Sequence, residues 1–253
     1  MDLVIFASAT DLGRSVAQDI RDGLTEASHR GRTWTLGLPS GRTCIPVLEE
    51  LERIEDVEWG SLRLLMPDTY CTKTDGRYQR CSDTSPESVF CFIQRYLPSF
   101  WDAVSRGPMT ERILVPNPNS LGSLRSVLGH REVDLMLLAS GSSDGHVAFN
   151  SPGADIGSSV RIATLPLSTR QDNLKTYPHF GSIDCVPEYG VTIGIEDIVS
   201  WSRRAVMILW GVEKRSAFER IATATGYDPS WPASVIHECA QARIYCDMEA
   251  RWG

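Results

Sequence analysis

Short apolar runs, rich in Leu and β-branched residues, alternate along this chain with segments whose apolar positions recur every three or four residues. The first pattern suits buried strands and the second amphipathic helices, and their alternation is that of βα units feeding a mostly parallel sheet, an α/β fold flanked by helices. Strands are expected at 3–6, 33–38, 62–66, 112–115, 134–139, 160–165 and 205–210. Between the first two, Leu12, Val16, Ile20 and Leu24 lie four apart and predict a helix with one apolar stripe, capped by Thr10 or Asp11. Further helices are expected at 45–54, 88–101, 120–128, 195–201 and 214–224, with Pro46 in a first turn, where its missing N–H costs little. The stretch 71–86 is polar and non-periodic, and reads as a loop long enough to cover a site. No repeat or linker interrupts the pattern, so a single domain over 1–253 is expected.

Composition adds mainly exclusions. Lys and Arg number 25 against 32 Asp and Glu, a net charge of −7 with no basic block, which argues against a nucleic-acid partner. The longest clean apolar run, 205–210, is far short of the roughly 20 residues that span a bilayer, so no membrane is implicated. The start Met1-Asp2-Leu3-Val4-Ile5-Phe6 is acidic where a secretory leader is basic, and a cytoplasmic location is expected. Seven cysteines without a C-x-x-C pair read as free thiols rather than disulfides or a zinc site.

Open parallel sheets bind ligands beyond the carboxyl ends of their strands. Four places there carry candidate chemistry. Gly37-Leu38-Pro39-Ser40-Gly41-Arg42-Thr43 runs from a strand into a helix, and offers small residues, hydroxyls and a helix N-terminus to an anion, or else is a tight turn. Asp68 follows the apolar strand 62–66 and is either a base near a ligand or a turn-forming carboxylate. Asp144-Gly145-His146 ends a Gly/Ser loop after strand 134–139, so a carboxylate stands beside a group that titrates near neutrality. Arg170 and Lys214 are two cations that are either ligands for an anion or solvated surface charges.

In this order and spacing the four places resemble one family, the glucosamine-6-phosphate deaminases and 6-phosphogluconolactonases, over a span from Leu36 to about Cys246. Gly37-Leu38-Pro39-Ser40-Gly41 resembles its phosphate loop, Asp68-Thr69-Tyr70 its Asp-Glu-Tyr element, and 144–153 its Asp-Gly-His-Ile-Ala-Phe-Asn-Glu-Pro signature. Thr169-Arg170, 191–195, 211–214 and 232–234 resemble the remaining landmarks, and Ala148-Phe149-Asn150 favours the deaminase branch. The resemblance implies a modified Rossmann-type domain, often in a homo-oligomer, with an aldose–ketose isomerase site for a phosphorylated amino sugar and neither metal nor organic cofactor. It implies that Ser40, Gly41, Arg42, Thr43, Arg170 and Lys214 hold the phosphate. Asp68 would move a proton between C2 and C1, and His146 would assist ring opening with Asp144 beside it.

Three positions depart from the family pattern: Ser151 stands where the Glu after Ala-Phe-Asn is expected, Thr69 replaces the Glu of Asp-Glu-Tyr, and Arg42 replaces a small residue. The loss at 151 removes a carboxylate partner of His146, leaving a serine hydroxyl to supply a hydrogen bond without the charge. Such a site suits glucosamine 6-phosphate less well, and admits an aminohexose 6-phosphate that isomerises without releasing ammonia. The rival reading is a non-catalytic sugar-phosphate sensor. With its first strand at Leu3 and no helix-turn-helix ahead of it, such a sensor would act through a partner.

Overall fold

The computed structural model describes residues 2–105 and 107–251, so the ends of the expected 1–253 span, Met1, Trp252 and Gly253, lie outside the described residues. The chain runs β1 (Asp2–Phe6), α1 (Ala9–His29), β2 (Trp34–Gly37), α2 (Ile45–Arg53), β3 (Leu62–Leu65), β4 (Asp68–Thr74) and β5 (Arg77–Arg80). It continues through α3 (Val89–Tyr96), α4 (Pro98–Val104), α5 (Met109–Arg112), β6 (Ile113–Leu114), α6 (Ser123–Val127), β7 (Leu135–Ala139) and β8 (Arg161–Thr164). The last part is α7 (Leu167–Thr176), β9 (Tyr189–Thr192), α8 (Ile195–Trp201), β10 (Ala205–Leu209), α9 (Arg215–Thr223), β11 (Ala242–Asp247) and α10 (Met248–Arg251).

Seven strands form one sheet in the order β1-β11-β10-β7-β2-β3-β6, with every pair parallel. Both faces are covered, as an all-parallel sheet requires. Alternate residues point to opposite faces: Leu135, Leu137, Val206 and Ile208 pack with α1 to α4, whereas Met136, Leu138, Ala205, Met207 and Leu209 pack with α6, α8 and α9. The predicted stripe of α1 is buried, with Leu12, Ile20 and Leu24 at 0% exposure, each contributing about 1.5–3 kcal/mol. Its cap is Ser8, whose hydroxyl accepts from the Asp11 amide, and not Thr10 or Asp11, which already lie inside the helix. The expected helix 88–101 is two helices, because Pro98 cannot donate to the preceding turn. All seven cysteines are free. Among the described residues no helix is long and apolar enough to cross a membrane.

A second, antiparallel sheet, β5-β4-β9-β8, stands beside the first. It overturns the reading of 71–86 as a loop: β4 and β5 are a hairpin whose turn is Asp75-Gly76, with φ of 50° and 76°. Asp-Gly with both residues left-handed is the two-residue turn that matches the twist of its strands. Strand 160–165 also belongs to this sheet rather than the parallel one.

Candidate active site

The sheet order sets the site. β10, β7 and β2 are adjacent and parallel, so the segments leaving their carboxyl ends, 210–214, 140–146 and 38–44, meet on one edge. β4 follows the end of β3, and both β4 and α7 contribute lining residues beside this edge. Between them lies a cavity of about 390 Å³ lined by Ser40, Gly41, Arg42, Thr43, Asp68, His146 and Lys214 from the sequence-derived set.

Asp68 is not in a loop after β3; it opens β4, paired in register with Thr192 of β9, and is 8% exposed. Tyr70, two residues along the same strand face, packs on Phe149 at 5.1 Å and on Tyr177 and Phe180 at 6.1 and 6.0 Å, walling the carboxylate from water. Burial pushes the Asp68 carboxyl up to about 7, opposed by the nearby His146 imidazole.

His146 is held by Asp144, whose Oδ1 lies 2.6 Å from its Nδ1 and also accepts the His146 amide. The other oxygen, Oδ2, accepts from the hydroxyls of Ser168 and Thr169 at 2.7 and 2.8 Å. Burial opposes the charge on Asp144, but the His146 and Ser168 bonds prevail and hold its carboxyl below the usual range. Because Nδ1 is engaged, Nε2 is left for a ligand. The loop closes on itself through the Gly141 amide and the His146 carbonyl, 2.7 Å apart. Only glycine fits at 141: a Cβ there would stand 2.2 Å from His146 Nδ1.

At the other end Lys214 donates to the Ser140 carbonyl, and burial, helped by the like charge of Arg42, lowers its ammonium to about 8 against the pull of Asp172. Arg42 pairs with Glu213 at 3.2 Å, and Trp210 donates to the Thr43 carbonyl, pinning the β2 loop to the end of β10.

Two of the sequence-derived expectations fail. Arg170 is not among the described residues lining the cavity; its guanidinium donates to the carbonyls of Ile183 and Val186, so it braces the segment after α7 instead of facing an anion. The Ser151 hydroxyl is buried and has no hydrogen-bond partner among the described residues, so it gives His146 nothing. Its neighbour Asn150 is structural, donating to the Val147 and Ile193 carbonyls and accepting from Arg161.

Conversely, α7 brings in Asp172, Asn173, Thr176 and the following Tyr177, none of which the sequence reading singled out. Their signal is a polar stripe: Ser168 and Thr169, Asp172 and Asn173, then Thr176 and Tyr177 recur with helical period. Asp172 Oδ2 accepts from the Ser142 and Ser143 amides at 3.2 and 3.3 Å and from the Ser143 hydroxyl at 3.0 Å. One ligand atom from each of Asp144, His146 and Asp172 falls within 4.8 Å of the others.

No family model matches the chain. It is 36% identical over 258 residues to a glucosamine-6-phosphate deaminase of Mycolicibacterium smegmatis, covering 99% of this chain and 91% of that protein. It is 28% identical over 224 residues to glucosamine-6-phosphate deaminase 1 of Bacillus subtilis, covering 85% of each. The fold is that of a solved monomeric glucosamine-6-phosphate deaminase, with a TM-score of 0.82 at 24% identity over 99% of this chain and 98% of that one. A 6-phosphogluconolactonase of Thermotoga maritima is less similar, with a TM-score of 0.66 at 18% identity over 97% of this chain and 98% of that one.

Proposed function

Because the chain belongs to the glucosamine-6-phosphate deaminase family, we propose that it is an aldose–ketose isomerase and deaminase of a phosphorylated amino sugar, glucosamine 6-phosphate or a close relative. The observation that carries this reading is the pairing across one cavity of a carboxyl raised to about 7, Asp68, with an oriented imidazole, His146. A general base works best when its titration lies near the working pH, and Asp68 meets that condition through burial alone.

In this mechanism the phosphate lies against the 40–43 loop and Lys214. His146 protonates the ring oxygen as the C1–O5 bond breaks, and the C1 hydroxyl loses its proton to water as the aldehyde forms. Asp68 then takes the proton from C2, the electron pair moves into the C1–C2 bond, and the aldehyde oxygen is protonated to give an enolamine. Return of a proton to C1 leaves an imine at C2, which water hydrolyses to the ketose phosphate and ammonia.

The test is incubation with glucosamine 6-phosphate in deuterated water. Deuterium at C1 of the product together with ammonia supports the full reaction. Exchange without ammonia on an aminohexose 6-phosphate whose nitrogen is not at C2, with none on glucosamine 6-phosphate, supports isomerisation of that sugar instead. Binding with no exchange on any aminohexose 6-phosphate refutes the enzymatic reading and leaves a sensor.

A further inference from the structure

Position 151, like Thr69 on β4, lacks a carboxylate that the family pattern leads one to expect, and the serine hydroxyl there has no hydrogen-bond partner among the described residues. A carboxylate stands at the His146 end of the cavity nonetheless. Asp172 projects from α7 into the cavity with a side chain 14% exposed, and one of its oxygens lies within 4.8 Å of ligand atoms of both His146 and Asp144.

We propose that Asp172 supplies from α7 the carboxylate that position 151 lacks, acting as a positioning residue that stabilises the charged imidazole of His146 as it delivers its proton to the ring oxygen. This rests on the function proposed above. Anchoring the 142–143 loop explains only one oxygen of Asp172, Oδ2, which takes three donors. The other, Oδ1, takes no part in that anchor and has the Lys175 ammonium 3.7 Å away. With its orientation fixed by these contacts, the carboxylate stands near His146 without further loss of side-chain freedom.

The charged groups around His146 come from three directions: Asp144 on its own loop, Asp68 on β4 and Asp172 on α7. Asp172 in turn faces Lys175 on its own helix and Lys214 after β10, the latter flanked by Arg42 and Glu213. Asp172 therefore joins the two ends of the cavity. In a pyranose 6-phosphate the ring oxygen and the phosphate-bearing carbon are both attached to C5, so one carboxylate can serve the proton donor to the former while lying beside the cations that meet the latter.

The experiment uses Asp172→Asn, which keeps an acceptor for the loop amides, and Asp172→Glu, which keeps the charge. Ring nitrogen-15 shifts at one fixed alkaline pH report the imidazolium fraction of His146, and that fraction should fall by a factor of about 3–10 in Asp172→Asn and recover in Asp172→Glu. Deuterium exchange at C2 supplies the second readout. It should slow by about tenfold on glucosamine 6-phosphate in Asp172→Asn and hold on a four-carbon 2-amino aldose 4-phosphate, whose blocked O4 cannot close a ring. An unchanged imidazolium fraction in a folded Asp172→Asn protein overturns the proposal, as does equal slowing on both sugars. If the parent exchanges neither sugar, the enzymatic reading fails, and the nitrogen-15 result still decides whether Asp172 stabilises the charged ring.

Discussion

The two ends of the cavity are built to different tolerances. At the His146 end, Asp144 takes four donors on its two oxygens, from the His146 ring and amide and from two hydroxyls on α7, so the imidazole has one orientation. At the Lys214 end, Arg42 and Glu213 are 43% and 51% exposed and share a single contact. An exposed pair of that kind contributes about 0–1 kcal/mol, so an incoming phosphate can displace it at little cost. Proton transfer needs geometry fixed in advance, whereas anion capture needs charges that are free to turn toward the ligand.

The sharpest way to break the ordered end is Asp68→Asn. Loss of a general base commonly costs about 10²–10⁴ in turnover, and binding of the phosphosugar should change little. The same variant should be more stable. With the carboxyl raised from 3.8 to about 7, the native state keeps a proton that the unfolded chain releases, so stability falls as pH rises across that window. The penalty is on the order of 2–4 kcal/mol at pH 8 and absent below pH 4, and Asn removes it. Turnover and thermal midpoints at pH 4 and pH 8 check both halves. Parental turnover, or a lower midpoint at pH 8, contradicts the assignment.

At the looser end Lys214→Ala should weaken phosphosugar binding about 10- to 100-fold, since a charge-assisted contact contributes about 1.5–3 kcal/mol. Arg170→Ala is its control, because that guanidinium serves backbone carbonyls and not the cavity. It should lower the thermal midpoint while changing affinity less than about twofold. Calorimetric titration of both variants separates them, and equal losses of affinity would return Arg170 to the phosphate site.

A smaller effect links both ends through pH. Asp68 must be ionised, which requires pH above about 7, and Lys214 must be charged, which requires pH below about 8. The free protein satisfies both only across a narrow window, so kcat/KM should trace a bell falling about tenfold per pH unit on either side. Bound phosphate favours the charged ammonium, so the alkaline limb should lie higher in kcat than in kcat/KM. Coincident alkaline limbs would show that Lys214 does not meet the phosphate.

Much of this was legible in the sequence, because it depends on strands buried on both faces and on the residues that leave their carboxyl ends. The 40–43 loop, Asp144-Gly145-His146 and Lys214 all sit at such ends of parallel strands, where the pattern places chemistry. The second sheet was harder to see. β4 and β5 are half-exposed and polar at their tip, so only Asp75-Gly76 betrays the hairpin. α7 carries no apolar stripe, since its informative face is the polar one turned to the cavity, and Asp172 went unnoticed with it. Arg170 was misplaced because adjacency to Thr169 in sequence puts the two about 100° apart on a helix, and Thr169 is the one facing Asp144.

The smallest expected effect tests whether position 151 belongs to the ordered end at all. A serine that hydrogen-bonded His146 would be a weakened version of a carboxylate partner, and its removal would slow ring opening. In the structure that hydroxyl is buried without a partner among the described residues, so it carries a desolvation cost with no bond to offset it. Ser151→Ala removes the cost and a few van der Waals contacts together, and should leave stability unchanged or raise it by up to about 1 kcal/mol. Turnover of glucosamine 6-phosphate should stay within about twofold of the parent, because nothing that touches His146 has been altered. Thermal unfolding and initial rates of the two proteins, measured side by side, make the comparison. A loss of about 1 kcal/mol or more, or a rate reduced about fivefold with unchanged phosphosugar binding, would mean that Ser151 does reach the imidazole during the reaction, and the carboxylate contributed from α7 would then be an addition to that contact and not its replacement.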